Sequence, residues 1–199
     1  MSALQEGAIG PATDRSTVDR ARHGDRGAFE SIVRDRMDAV YRLSLAILGD
    51  EADARDAAQE TFVAAWRQIG QLRDADAFDS WLGRITVNAA RMTLRSARRR
   101  RVREIPSSEV DRLGERSLDE AHDRTFVDPT DGTRLADALR SLSLEQRSLL
   151  ALHHLDGRSV AEIGELLEIP IGTVKSRLFT ARRALDAALG ATDAGEASR

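Results

Sequence analysis

The chain has 199 residues, no cysteine, 4% aromatics and a formal net charge of −3, which fits one large or two small domains of mainly helical structure. Disulfides and thiolate chemistry are excluded, no apolar run reaches membrane-spanning length, and the N-terminus MSALQEGAIGPATDRS lacks the apolar core of a signal peptide. A cytoplasmic chain without membrane insertion is expected, and any affinity for nucleic acid must come from local charge rather than the net sum.

Residues 1–16 mix Gly, Pro, Ser and Thr and read as a loose tail. A first helical domain is expected over 17–103. From Asp25 onward, Phe29, Ile32, Val33, Met37, Val40, Tyr41, Leu45 and Leu48 keep helical spacing up to Gly49 and Asp50. A second helix runs from Glu51 to Ile69, with Phe62, Ala65, Trp66 and Ile69 facing inward. Its other face carries Asp53, Asp56, Gln59 and Glu60. Three carboxylates on one face can in principle hold a metal, but no facing carboxylate–histidine helix completes such a site. The four histidines, His23, His122, His153 and His154, form no ligand motif, so neither metal nor cofactor is expected. Acidic residues also stabilise a helix N-terminus, and a face of this kind suits a basic partner.

After a polar connection, Gly70 to Ala77, the stretch AFDSWLGRITVNAARMTLRSARRRR has Phe78, Trp81, Leu82, Ile85, Ala89 and Met92 on its apolar side. Arg84, Asn88, Arg91, Arg95 and Arg98 step by four, three, four and three along another side and run into Arg99, Arg100, Arg101 and Arg103. Aligned cations of this extent suit a phosphate track, and an asparagine among them can read a base. The plainer reading is a solubilising helix end with cations near its C-terminus. From Glu104 to Thr133 the periodicity collapses into an acidic stretch broken by Pro106, Gly114, Pro129 and Gly132. This linker (104–133) is expected to be a flexible tether between two small helical domains in an all-α protein.

The second domain (134–190) opens with Leu135, Leu139 and Leu142, then Leu149, Leu150 and Leu152, as support for a helix-turn-helix. In DGRSVAEIGELLEIPIGTVKSRLFTARRALDAAL, Ser159 and Glu162 form a capping box. Val160, Ile163, Leu166 and Leu167 make the apolar face of its first helix. Pro170 suits the first turn of the next helix, whose inward stripe is Val174, Leu178, Ala181 and Leu185. Gly172, Ser176, Phe179, Thr180 and Arg183 fall opposite that stripe, flanked by Thr173, Lys175 and Arg177. Small, hydroxyl and basic residues opposite a buried stripe fit a DNA major groove, although helical hairpins with merely solvated faces share the shape. Residues 191–199 read as a frayed tail.

In this order and spacing, DARDAAQETFVAAW, FDSWLGRITVNAARMTLRSARRR and LSLEQRSLLALHHLDGRSVAEIGELLEIPIGTVKSRLFTARRAL resemble bacterial sigma factors of the extracytoplasmic-function group. The resemblance covers Asp25 to Leu189, and the short tether matches that group rather than larger sigma factors. It implies a non-enzymatic initiation factor that binds RNA polymerase core and takes no small-molecule substrate. Asp53, Asp56, Gln59 and Glu60 would dock on the β′ clamp coiled coil, and the second domain would meet the β flap. Leu72, Arg84, Asn88, Arg91, Arg95 and Arg98 would open and hold the minus-ten element of promoter DNA. Gly172, Thr173, Lys175, Ser176, Arg177, Phe179, Thr180 and Arg183 would read the minus-thirty-five element as duplex. Control by an anti-sigma factor is implied as well.

Two other classes account for part of the pattern. A dimeric helix-turn-helix regulator working without polymerase explains Ser159 to Leu189 but leaves the acidic face and arginine stripe without a use. A metal-dependent nuclease would use Asp53, Asp56 and Glu60.

Overall fold

A computed structural model describes residues 13–104 and 134–196. The expected tail before Thr13, the acidic tether from 105 to 133 and the last three residues lie outside the described residues. All regular elements among the described residues are helices: α1 (Arg15–Arg22), α2 (Arg26–Leu48), α3 (Glu51–Gln68), α4 (Phe78–Glu104), α5 (Arg134–Arg140), α6 (Leu144–Leu150), α7 (Val160–Leu167) and α8 (Ile171–Glu196). Two 3₁₀ turns, Ile69–Gln71 and Ala75–Ala77, join α3 to α4, and one wide turn, Ala151–Leu155, follows α6.

Local chemistry sets most of these boundaries. The Asp25 carboxylate accepts from the Ala28 N–H at 3.0 Å to start α2, and the Asp50 carboxylate accepts from the Asp53 N–H at 2.8 Å to start α3. Gly49 ends α2 in the left-handed region (φ 72°), its N–H donating to the Leu45 carbonyl at 2.8 Å. Both α6 and α7 open with complete capping boxes, Ser143 with Gln146 and Ser159 with Glu162. Pro170 precedes α8, and its carbonyl accepts from the Thr173 N–H at 2.8 Å.

Helix α1 lies where the sequence reading had a tail and an unassigned stretch. Val18 and Ala21, one turn apart, bury its inner side against α2 and the two 3₁₀ turns. The Arg22 guanidinium donates to the Arg73 carbonyl at 3.1 Å, which ties α1 to the loop before α4. Two apolar positions in eight residues are too few to stand out by periodicity. At the other end, α8 continues past Gly190 to Glu196, beyond the boundary expected from sequence.

Four apolar residues expected on inner faces are exposed. Trp66 (39% exposed) and Met37 rim a groove between α2 and α3, Leu135 stands on the first turn of α5, and Met92 (56% exposed) faces out from α4. The inner side of α4 changes along its length. Phe78, Leu82 and Ile85 join Val18, Phe29, Ile32 and Phe62 in a core belonging to the first domain. Val87, Ala90 and Leu94 belong to a second core, which takes Leu43 and Ile47 from α2 and Leu149, Leu152, Ile163, Val174 and Leu178 from the second domain. That core pulls the buried face round toward Ala90 and Leu94 and leaves Met92 outside. The two domains therefore share one continuous apolar interior, with α6 and the wide turn against α2 and α7 against α4.

Replacing Ser159 by Ala is expected to lower stability by about 1 kcal/mol at neutral pH, measured by chemical denaturation. The Ser159 hydroxyl and backbone N–H hold the Glu162 carboxylate below its ordinary pKa. The box therefore contributes in full above the ordinary carboxylate range and fades as pH falls through the lowered value, so the gap between variant and parent is expected to narrow in acid.

Candidate functional site

Three surfaces collect the residues singled out by sequence. On α3, Asp56, Gln59 and Glu60 are exposed and Asp53 is half-buried beside the Asp50 cap. This acidic face borders the α2–α3 groove, an apolar trough of about 880 Å³ lined by Val33, Met37, Tyr41, Phe62 and Trp66. Phe29 supports Trp66 from below, ring centroids 5.0 Å apart. The groove's polar edge mixes Asp38 and Gln59 with Arg55 and Arg67, and an exposed Trp and Met inside a polar rim is the composition of a protein-docking surface. The groove residues escaped the sequence reading because they occupy helical core positions; only the spread of α2 from α3 exposes them.

Along α4, Asn88 and Arg95 are exposed and Arg84 and Arg91 are half-buried, aligned on one side as spacing required. The helix continues through position 98, whose side chain lies outside the described residues, as do those of Arg100, Arg101 and Arg103. Arg84 is already engaged: its Nη1 lies 2.6 Å from Oε1 of Glu168, in the turn between α7 and α8. Both partners reach solvent, so the pair contributes about 0–1 kcal/mol and exchanges readily.

Leu72 is placed differently from expectation. Its side chain is 7% exposed, packed in the first-domain core with Ile69 and Ala75. Two 3₁₀ turns and the Arg22 contact fold the loop inward, so Leu72 packs beneath the loop and does not face outward.

On α8, Gly172, Lys175, Ser176, Arg177, Phe179, Thr180 and Arg183 are exposed and Thr173 is half-buried, opposite the buried Val174, Leu178 and Ala181. Phe179 is 62% exposed, and the Arg183 guanidinium sits 5.9 Å from its ring centroid. The hydroxyls of Ser176 and Thr180 donate back to the Thr173 and Ser176 carbonyls at 3.0 and 3.1 Å, which holds them close to the helix. Arg177 pairs with Glu145 of α6.

Residues 32–100 match the family model "Sigma-70 region 2", and residues 133–185 match "Sigma-70, region 4". The chain is 32% identical over 184 residues to the RNA polymerase sigma-H factor of Pseudomonas aeruginosa, covering 88% of this chain and 93% of that protein. It is 33% identical over 182 residues to the ECF RNA polymerase sigma-E factor of Escherichia coli K12, covering 87% and 93%. The chain belongs to the extracytoplasmic-function sigma factors. Among solved structures, it is similar to CnrH in complex with the cytosolic domain of CnrY, at a TM-score of 0.62 and 26% identity over 89% of this chain and 97% of that one. It is also similar to the sigma factor RpoE in complex with the anti-sigma factor NepR from Bartonella quintana, at a TM-score of 0.58 and 25% identity over 81% and 96%.

The sigma factor also carries a charged seam that no motif announced. Arg158, 4% exposed, pairs through Nε with Asp156 and donates to Ser80 Oγ at 3.1 Å and the Asp79 carbonyl at 2.9 Å, joining the start of α7 to the start of α4. Asp79 Oδ1 lies 2.9 Å from Nη2 of the fully buried Arg36. Burial pushes the Asp79 carboxyl above its ordinary pKa, with Arg36 and Arg158 pulling the other way. An arginine just before a capping serine has no periodic signature, so only the docked domains give Arg158 its role.

Leu72→Ala is expected to lower stability by about 2–5 kcal/mol in denaturant unfolding. The matching check is promoter opening at a temperature where the variant remains folded, expected to stay near the parental level.

Proposed function

We infer that this sigma factor confers promoter specificity on RNA polymerase core through three separate surfaces. The observation that carries the reading is their division on one chain: a basic polar track on α4, an exposed polar-basic face on α8, and an apolar groove between α2 and α3 beside the acidic face of α3. A regulator acting without polymerase leaves that groove and the α4 track idle.

The groove and the acidic face beside it suit a helical pair on polymerase that brings apolar side chains to Trp66 and Met37 and cations to Asp56 and Glu60. The β′ clamp coiled coil is the partner proposed for it, with the β flap meeting the second domain. On α4, Arg84, Asn88, Arg91, Arg95 and Arg98 would hold the minus-ten strand, phosphates on the guanidiniums and an extruded base on Asn88. On α8, Thr173, Lys175, Ser176, Arg177, Phe179, Thr180 and Arg183 would enter the groove of the minus-thirty-five duplex. Gly172 keeps the approach to the helix N-terminus free of a side chain.

Opening the duplex needs no catalytic group or cofactor in this chain. Unstacking and flipping a base costs a few kcal/mol, which binding of the extruded strand and its phosphates offsets. Two modest DNA sites on one chain, both positioned by polymerase, reinforce each other through effective concentration. Tight promoter binding then belongs to the holoenzyme. The solved complex of RpoE with the anti-sigma factor NepR supports control of this chain by an anti-sigma protein. Action on polymerase supports a cytoplasmic location, and among the described residues no helix is long and apolar enough to cross a membrane.

Transcription in vitro with bacterial core enzyme on a promoter library tests the reading. Initiation at a defined set of starts is expected only when the chain is added, and no gain at any start overturns it. Asp56→Arg with Glu60→Arg, both exposed, is expected to weaken core binding about ten-fold or more with helix content unchanged. Lys175→Ala is expected to weaken holoenzyme binding to all promoters alike and to lower the salt slope by about 1, read from binding isotherms across salt concentrations.

A further inference from the structure

Arg36 is a charged residue in an apolar column. On the inner side of α2 it stands between Ile32 and Val40, one turn away in each direction, and all three are fully buried. Its Nε donates to the Thr13 hydroxyl at 2.6 Å, and its Nη2 lies 2.9 Å from Oδ1 of Asp79 in the first turn of α4. The two charges are too misaligned to share a hydrogen bond. Among the described residues neither Nη1, Nη2 nor that carboxylate oxygen has a hydrogen-bond partner. Burial raises the Asp79 carboxyl in spite of both neighbouring guanidiniums. A pair bonded this poorly is a weak source of stability, because the desolvation of two charges offsets their attraction. Replacing such a pair by apolar residues of similar volume is often neutral or stabilising.

What the pair supplies that apolar contact lacks is direction. Phe78, Leu82 and Ile85 bury the near half of α4 in the first-domain core, but the attraction that holds them there is non-directional. Arg36 ties the first turn of α4 to one point on α2, and Arg158 holds the main-chain carbonyl of the same Asp79. Arg84, Asn88, Arg91 and Arg95 lie about 7–24 Å further along the helix, so a roll at Asp79 carries directly to them. On α2, Val33 and Met37 stand on the strip next to Arg36 and line the apolar groove.

We propose that Arg36 is a positioning residue: through Asp79 it sets the roll of α4 against the groove helix, so that the strand-binding side chains face outward in one register. The inference rests on α4 being the DNA track. Fully buried, Arg36 meets neither nucleic acid nor polymerase and acts only through the helix it orients.

Arg36→Met combined with Asp79→Asn removes both charges and strands neither, so the fold is expected to survive, and circular dichroism melts give the folded fraction. Arg36→Lys keeps a cation facing Asp79. Each holoenzyme is titrated against two fluorescein-labelled DNAs made from a promoter selected from the library. One is a duplex carrying only the minus-thirty-five element, and the other is a bubble unpaired across the minus-ten element. Affinity for core is measured separately. In the double variant, bubble affinity is expected to fall about five- to ten-fold while duplex and core affinities stay within about two-fold of the parent. Arg36→Lys is expected to recover at least about half of that loss. Parental bubble affinity in the double variant would overturn the inference. A loss shared by all three affinities, in step with the folded fraction, would overturn it as well, since that marks a merely structural pair. If the parental holoenzyme binds the bubble no tighter than the same DNA fully paired, the α4 track itself is wrong and the inference falls with it.

Discussion

The apolar interior shared by the two domains is the constraint on which the remaining geometry depends. Leu43 and Ile47 of α2 and Val87, Ala90 and Leu94 of α4 meet Leu149, Leu152 and Ile163 in one buried cluster. A side chain of this kind contributes about 1.5–3 kcal/mol when fully buried. The exposed Arg84–Glu168 pair contributes about 0–1 kcal/mol. Packing therefore brings the domains together, and the polar groups decide register. Arg158, buried and bonded to Asp156, Ser80 and the Asp79 carbonyl, fixes where α7 lands on α4.

This division of labour suits a protein whose working surfaces must be exchangeable. The three candidate surfaces are made of exposed side chains held by weak or local contacts: Arg84 on a surface carboxylate, Arg177 on Glu145, Ser176 and Thr180 on their own helix. None of these contacts is expensive to exchange for a phosphate or a base edge. The apolar groove on α3 differs, because Trp66 and Met37 are left partly in water by the way α2 and α3 splay, an exposure that the proposed partner helix would relieve. Charge at its rim governs orientation and encounter, while the aromatic and thioether surface supplies area.

Much of the fold was legible because its signals are local. Asp25, Asp50, Ser159 and Pro170 mark helix starts by backbone chemistry that needs no neighbour, and Gly49 marks an end. The arginine stripe and the α8 face were readable because helical spacing alone puts Arg84, Asn88, Arg91 and Arg95 on one side and sets Ser176, Phe179 and Arg183 away from the stripe of Val174, Leu178 and Ala181. Helix α1 and the inward fold of Leu72 were not readable, since each depends on a surface supplied by another part of the chain.

The sequence by itself determined an all-helical chain with an acidic face, a basic track and a helix-turn-helix in fixed order, because capping and periodicity act within a few residues; the family followed from the motifs those helices carry. Tertiary structure alone decided which apolar residues are spare and which glycine and glutamate hold a seam. Met92 and Trp66 have the same helical spacing as true core positions, and only the location of the second domain and of the groove separates them. Gly83 and Glu168 are likewise ordinary letters until α7 is set against α4, where the missing Cβ of one makes room for Leu166 and the carboxylate of the other reaches Arg84.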